Sequence, residues 1–350
     1  MVREVSQKIR NMSIICALLV VTIHVDWQEH TSTLLWWGRE LICQGVSRVA
    51  VPFFFVVSGY FLSAHFEEDC WWEHEVTKRI RSLVIPFFLW SLIAVLMTAP
   101  LTIIADLMAN RPFGTSLPLL NGNAMRVFGF NMFNYPTHGP LWYMRCLFLF
   151  VILGGLFKWG VRKMGLLLLA IFFFLSCLHC YFMYGFPEGG APRIFLLLER
   201  GLSLQGMFYF SVGIYIRDKK IKYTGMTPFA WCSLVVGLGL VVGRALLMQK
   251  QLQITGVCGL VSIPFVMYAL YELMPSTNWP IWFTSCSFPI YLMHRIIQSF
   301  LGVLFKNVPG FNGWVIATTY FLVGVIVPIC ITHVIRRTLP RTSNCLLGGR

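Results

Sequence analysis

Charge is scarce in this sequence. Only 12% of its 350 residues are Asp, Glu, Lys or Arg, against 57% apolar residues. A soluble domain carries about 25% charged residues. A chain this apolar, with a mean hydropathy of +0.70, has too little polar surface to cover a water-soluble fold. That excludes soluble enzymes and binding modules and leaves an integral membrane protein. Acidic residues are scarcest, 14 against 28 Lys and Arg, which gives a net charge of +14. No basic block forms a separate domain, however. The cations sit in short clusters between apolar runs, as loops at a cytoplasmic membrane face require. The expected partner is therefore the lipid bilayer, with no nucleic acid. Metal-ligand groupings are sparse too. Cys177 and Cys180 come closest, spaced by two residues around His179, but they lie in an apolar run without further ligands. Cysteine as a small buried apolar residue is the stronger reading, so no metal and no disulfide framework are expected. Finally, the first apolar run, Met12 to Val25, is followed by DWQEHTST rather than by a small-residue cleavage site. It reads as a retained first span.

What the sequence does have is apolar runs of helical length. Ten are expected, at roughly 11–27, 41–63, 83–105, 140–158, 164–184, 201–216, 228–248, 254–274, 280–304 and 313–335. They do not alternate polar and apolar residues, so the fold class is an all-α integral membrane protein: a bundle of about ten transmembrane helices. No repeat, low-complexity tract or soluble appendage interrupts residues 1–350, which read as a single membrane domain. The longest connection, 106–139, is rich in Asn, Gly and Pro. With the N-terminus inside, the inner segments hold seventeen Lys and Arg and the outer segments seven. That bias places both termini in the cytoplasm. The loop 275–279 carries no charge and contributes nothing to this count.

Ionisable residues inside spans are costly and mark polar cavities. Here they are His24, Arg48, Arg145, Arg244, Glu272, His294 and Arg295. His24 ends an outward-running helix, Arg48 and Arg145 begin inward-running ones, and His294 lies halfway along another. His294's helix, like that of His24, runs outward, so four residues from four helices share the middle and outer half of the membrane, as a common cavity would require. Taken singly, His24 also reads as an interfacial helix-capping histidine, and Arg48 and Arg145 as arginines snorkelling to outer headgroups. Arg244 and Glu272 lie near helix ends and are expected to be interfacial. On the inner side, VTKRIRSLVIPFF sets Lys78, Arg79 and Arg81 before the third span. Plain positive-inside topology accounts for them, and so does a phosphate site, because arginine forks grip phosphate oxygens.

Five segments, in order, resemble the membrane-bound acyltransferase 3 family. They are IICALLVVTIHV, RVAVPFFFVVSGYFL (Arg48–Leu62), KRIRSLVIPFFLW (Lys78–Trp90), GPLWYMRCLFLF (Gly139–Phe150) and SFPIYLMHRII (Ser287–Ile297). The resemblance implies a ten-helix core that moves an acyl group, usually acetyl, from cytoplasmic acyl-CoA to a sugar hydroxyl of a glycan at or beyond the outer face. It implies a bacterial-type cytoplasmic (inner) membrane location. It makes His24 the catalytic residue and associates Arg79 and Arg81 with the acyl-CoA. The family commonly carries a basic residue eleven positions before its histidine. Here that position is Ser13, and the role passes to Arg10, fourteen positions before and near the same helix face.

Acyl transfer to a hydroxyl needs a base and donors for an oxyanion. Histidine suits the base, and an acyl-histidine is the less favoured route. Arg48, Trp142, Tyr143, Arg145 and His294 are expected to line the acceptor cavity. Candidates for a carboxylate that orients His24 are Asp26, Glu40 and Glu199, with Asp26 pointing away at two residues' offset. A bound CoA at Arg79, Arg81 and Arg10 then requires a channel through the bundle to His24. The alternative from another class is a transporter or exporter of a small molecule or lipid-linked sugar, which favours discontinuous helices in paired inverted halves. No matching halves are evident. A lipid scramblase or assembly scaffold has no positive feature. The sequence identifies neither the acceptor nor the oligomeric state.

Overall fold

The computed structural model describes residues 2–28, 31–112, 139–185, 202–221, 227–307 and 310–349. Most of the connection expected at 106–139, together with Glu199, lies outside the described residues. Within them every regular element is helical. In chain order these are α1 (Val2–Ile23), α2 (Thr33–His65), α3 (Trp71–Met108), α4 (Gly139–Ile152) and α5 (Gly154–Met164). They continue with α6 (Leu166–Gly185), α7 (Leu204–Asp218), α8 (Thr227–Gln249) and α9 (Thr255–Leu273). The last are α10 (Ser287–Asn307), α11 (Gly313–Thr338) and the short α12 (Pro340–Leu346).

Eight of these helices are long and apolar enough to cross a membrane, and a ninth span results if α4 and α5, bent by 69° at their junction, act as one. The remaining run, α7, has 15 helical residues. Each apolar run in the sequence therefore has its helix, and the chain is an all-α membrane protein.

Lipid gives helices no hydrophobic reason to associate, so close backbone packing and polar contacts must hold the bundle. The tightest case is α2 on α7. Gly59 lies against the Phe210 carbonyl and Gly213 against the Val56 carbonyl, and a β-carbon on either glycine would overlap the oxygen it faces. Around this seam Phe55, Phe150, Phe157 and Phe210 pack at an angle to one another with centroids 5.1–5.4 Å apart. Aromatic pairs favour this geometry.

Polar contacts fix which helix ends lie together. At the start of α1, Gln7 donates to Asn278 Oδ1 at 2.6 Å and Lys8 to the Glu272 carbonyl at 3.0 Å. Asn11, fully buried, donates to the carbonyls of Pro275 and Thr277 at 3.0 and 2.9 Å. At the end of α11, Arg336 donates to Ser285 Oγ at 2.8 Å. The uncharged loop 275–279 thus sits at the same end of the bundle as the start of α1 and the end of α11. Arg162 of α5 adds a clamp at a helix junction, donating to Asp218 at 2.9 Å and to Glu67. Its hydrogen bond holds the Glu67 carboxyl below the usual carboxylate range.

Candidate functional site

Two cavities lie toward opposite ends of one helix segment: Arg48 and Val51 at its start line the first, and His65 at its end lies 3.8 Å from Glu75, which holds Lys78 and Arg79 of the second. From Ala50 to His65 the chain is helical, and at about 1.5 Å per residue it spans about 23 Å. That is most of a hydrocarbon core of about 30 Å.

The cavity at the Arg48 end has a volume of about 200 Å³. Its walls include Ile23, Gln44, Arg48, Trp142, Ser203, Gln205, Tyr209 and Arg244. Arg48 is exposed to it, and its Nε is held by Gln44 Oε1 at 3.1 Å. Among the described residues Arg48 forms no ion pair. Arg244 differs from the sequence expectation. It is buried rather than interfacial, only 4% exposed, because α8 turns it inward onto Glu40. Glu40, also buried, accepts Arg244 Nη1 on one oxygen and Arg39 Nη1 on the other, each at 2.6 Å. A carboxylate proposed as an orienter of His24 is therefore engaged by two arginines. Glu40 sits in a single π-helical turn, Arg39–Cys43. Such turns re-aim side chains and recur at functional sites.

His24 follows the cavity-lining Ile23. It closes α1 in a turn, its N–H donating to the Val21 carbonyl at 3.2 Å. Its ring faces that of His294, with centroids 5.2 Å apart and planes inclined at 36°. His294, fully buried, places Nδ1 2.9 Å from the Ile290 carbonyl. A carbonyl only accepts, so Nδ1 carries the proton and Nε2 holds the lone pair in the neutral ring. One turn further on, Gln298 donates to the Val21 carbonyl at 3.3 Å and pins α10 to the end of α1. Two other expected residues, Tyr143 and Arg145, lie on α4. Tyr143 packs edge-on to Tyr291 at 5.9 Å and hydrogen-bonds Ser58 at 3.3 Å, while Tyr291 donates to the Pro140 carbonyl. Arg145, buried, lies on α4 beyond Tyr143. Of the expected acceptor-cavity residues, Arg48 and Trp142 line the 200 Å³ cavity, while Tyr143, Arg145 and His294 are not part of its lining; His294 instead meets the expected catalytic residue, His24. Asp26 turns to its own loop, accepting Gln28 Nε2 at 2.7 Å.

The second cavity, about 500 Å³ and open to the surface, is walled by His74, Thr77, Lys78, Arg79, Arg81, Ser82, Gly348 and Gly349. Glu75, fully buried, accepts Lys78 Nζ at 3.1 Å and Arg79 Nη2 at 3.2 Å. One carboxylate thus balances one of three cations. Arg10 is placed elsewhere. Its Nη2 reaches Asn278 Oδ1 at 3.5 Å in the 275–279 loop, while Ser13 donates back to the Ile9 carbonyl at 2.7 Å.

The structure thus brings together a histidine pair and, apart from it, a cationic cavity. In comparison with protein families, residues 8–333 match the acyltransferase 3 family, described as an acyltransferase domain. The chain belongs to this family and is a multi-pass membrane acyltransferase. Comparisons with curated proteins and with solved structures gave no match.

The buried Glu40–Arg244 pair and the Gly348–Gly349 wall are the parts that sequence reasoning missed. Arg244 within an apolar run was the available signal for the first. A Gly-Gly pair just past a short helix was the signal for the second.

Proposed function

We propose that this protein transfers an acyl group, acetyl by the family's usual preference, from cytoplasmic acyl-CoA to a hydroxyl of a glycan on the outer side of a bacterial-type inner membrane. The observation that carries this reading is the contact between His24 and His294, next in sequence to a residue of an arginine- and tryptophan-lined cavity, with a separate three-cation cavity formed by Lys78, Arg79 and Arg81.

The acyl-CoA phosphates dock at Arg79 and Arg81, whose guanidinium forks match phosphate oxygens. Arg10, at the same end of α1 as the 275–279 loop, supports the donor's path into the bundle. The acceptor sugar enters the outer cavity, where Trp142 offers a face for the ring and Arg48 a donor for its oxygens. His24 takes the proton from the acceptor hydroxyl as that oxygen attacks the thioester carbonyl carbon. The C–S bond breaks, and the imidazolium returns the proton to the departing thiolate of CoA. His294, fixed in one tautomer by the Ile290 carbonyl, keeps a ring-nitrogen lone pair beside His24. It thereby helps to hold the imidazolium as it forms, the part an aspartate plays in serine hydrolases. Tyr143 and Arg145 shape the wall between the two histidines and the aromatic core.

The test uses inverted membrane vesicles given radiolabelled acetyl-CoA, with label followed into glycan and lipid-linked fractions. Wild type is expected to transfer label. His24→Ala should reduce transfer by about 10²–10⁴-fold, the usual contribution of a general base, with the protein still present in the membrane. Equal transfer by both would remove His24 from catalysis. No transfer by well-folded wild type with native glycans present would reject acetyl-CoA as the donor.

A further inference from the structure

The match to the family ends at residue 333, yet the chain beyond it builds one wall of the cationic cavity. After α11, the chain turns back through α12 and returns to the start of α3. Three contacts dock it there. The Trp90 indole N–H donates to the Leu346 carbonyl at 2.9 Å. Leu347 is 2% exposed and joins the main apolar core. Gly348 lies directly on Ser82, where a β-carbon would stand 2.5 Å from the Ser82 carbonyl oxygen.

Both glycines have left-handed backbones, φ +63° and +73°, and the Gly349 N–H closes the helix onto the Asn344 carbonyl at 2.8 Å. This is the glycine-terminated helix end in which a side chain at the left-handed position is penalised. At Gly348 two independent requirements coincide: the φ and the contact with Ser82. Glycine at this position lets the tail lie flush against the strip that carries Lys78, Arg79 and Arg81.

The facing strip is short of partners. Arg79 Nε and Ser82 Oγ are buried, and neither hydrogen-bonds any described group. Arg81 forms no ion pair among the described residues. Orphaned donors in a net-cationic, half-enclosed cavity call for an anionic ligand with several acceptor oxygens. The strip Ile80–Val84 is a π-helical turn, which displaces Ser82 and its carbonyl relative to an α-helical register and gives the tail its seat.

We infer that the segment 340–349 is part of the donor site: docked on Ser82 through Gly348, it encloses the phosphate-bearing end of the acyl-CoA against Arg79 and Arg81. This rests on the reading of acyl-CoA as donor. The ligand chemistry is a nucleotide carrying a diphosphate, and the tail residues that line the cavity, Gly348 and Gly349, contribute enclosure and no charge.

The test measures equilibrium binding of CoA, and of S-acetylpantetheine, which lacks the nucleotide, to the full-length protein purified in detergent. Four proteins are compared: wild type, Arg79→Gln/Arg81→Gln, Gly348→Val, and a chain shortened by deleting Leu347, Gly348 and Gly349 while keeping Arg350. Gly348→Val and the shortened chain should each weaken CoA binding by about tenfold, comparable to the net worth of one hydrogen bond that opening the site to water would weaken. S-acetylpantetheine binding should be unchanged. The arginine variant should lose CoA by a similar or larger factor. If the arginine variant weakens and both tail variants bind CoA as wild type does, the tail has no part in the site. If both tail variants lose the two ligands equally, the tail only supports folding, and the inference fails likewise. If wild type binds no CoA, the donor reading itself falls. Should Gly348→Val not fold, the shortened chain decides by the same comparison.

Discussion

At the scale of single residues, the His24 end of the bundle is organised around charge taken out of water. Glu40 and Arg244 are both buried, and their 2.6 Å contact is the central one of an Arg39–Glu40–Arg244 chain. Desolvating such a pair costs about as much as its attraction returns, but removing one partner strands the other. Glu40→Ala should therefore lower stability by about 3–5 kcal/mol, seen as a reduced thermal midpoint of the purified protein. Glu40→Met combined with Arg244→Met should recover most of that loss. A double variant as unstable as the sum of the two singles would show that the residues act independently. This pair also marks how far the sequence could be read. His24 is conspicuous as an ionisable ring at the end of an apolar run. Its neighbour His294 is 270 residues away, and no periodicity within either segment connects them. Arg244 stands close enough to a run's end to resemble an interfacial arginine. Its burial depends on which way α8 turns against α2, a tertiary fact.

At the scale of elements, the close approach of α2 and α7 does what the hydrophobic effect cannot do between helices in lipid. Gly59 and Gly213 each face a carbonyl oxygen of the opposing helix, so neither can gain a β-carbon without separating the two backbones. Gly213→Val should cost about 3 kcal/mol or more, at the upper end of overpacking penalties, since backbone and not side chain must move. The expected outcome is a lower thermal midpoint and a reduced yield of monodisperse protein in detergent. A midpoint equal to wild type would mean that the helices do not meet there. The ten apolar runs were legible because composition over about twenty residues identifies a membrane helix. Three features were not: the 69° bend between α4 and α5, the π-helical turns at Glu40 and Ser82, and the docking of α12. A bend or a π turn changes the direction of a helix without changing its hydropathy. The docking of α12 rests on one indole hydrogen bond, one buried leucine and one glycine, which is too few residues to form a pattern.

At the scale of the whole molecule, direction decides the chemistry. The start of α1, the 275–279 loop, the end of α11 and the tail on α3 gather at one end, the end of the three-cation cavity. The histidine pair stands toward the other end, where α1 finishes. CoA is a cytoplasmic compound, so the reaction proposed above requires the cationic end to face the cytoplasm, the orientation that the positive-inside rule predicts. Two exposed cysteines report on this. Cys70 precedes α3 and Cys345 lies in α12, and both belong to the cationic end. Each is kept in turn while the other ten of the eleven cysteines are replaced by serine or alanine. Each should then react with a membrane-impermeant maleimide in inverted vesicles. Neither should react in intact spheroplasts until the membrane is opened. Labelling from the outside would turn the molecule over and put Arg79 and Arg81 on the side where CoA is absent. The donor reading would then fail however well the cavity fits phosphate. Labelling from the inside alone would set the cationic cavity on the donor's side and the histidine pair toward the outer side, the orientation that the proposed transfer requires.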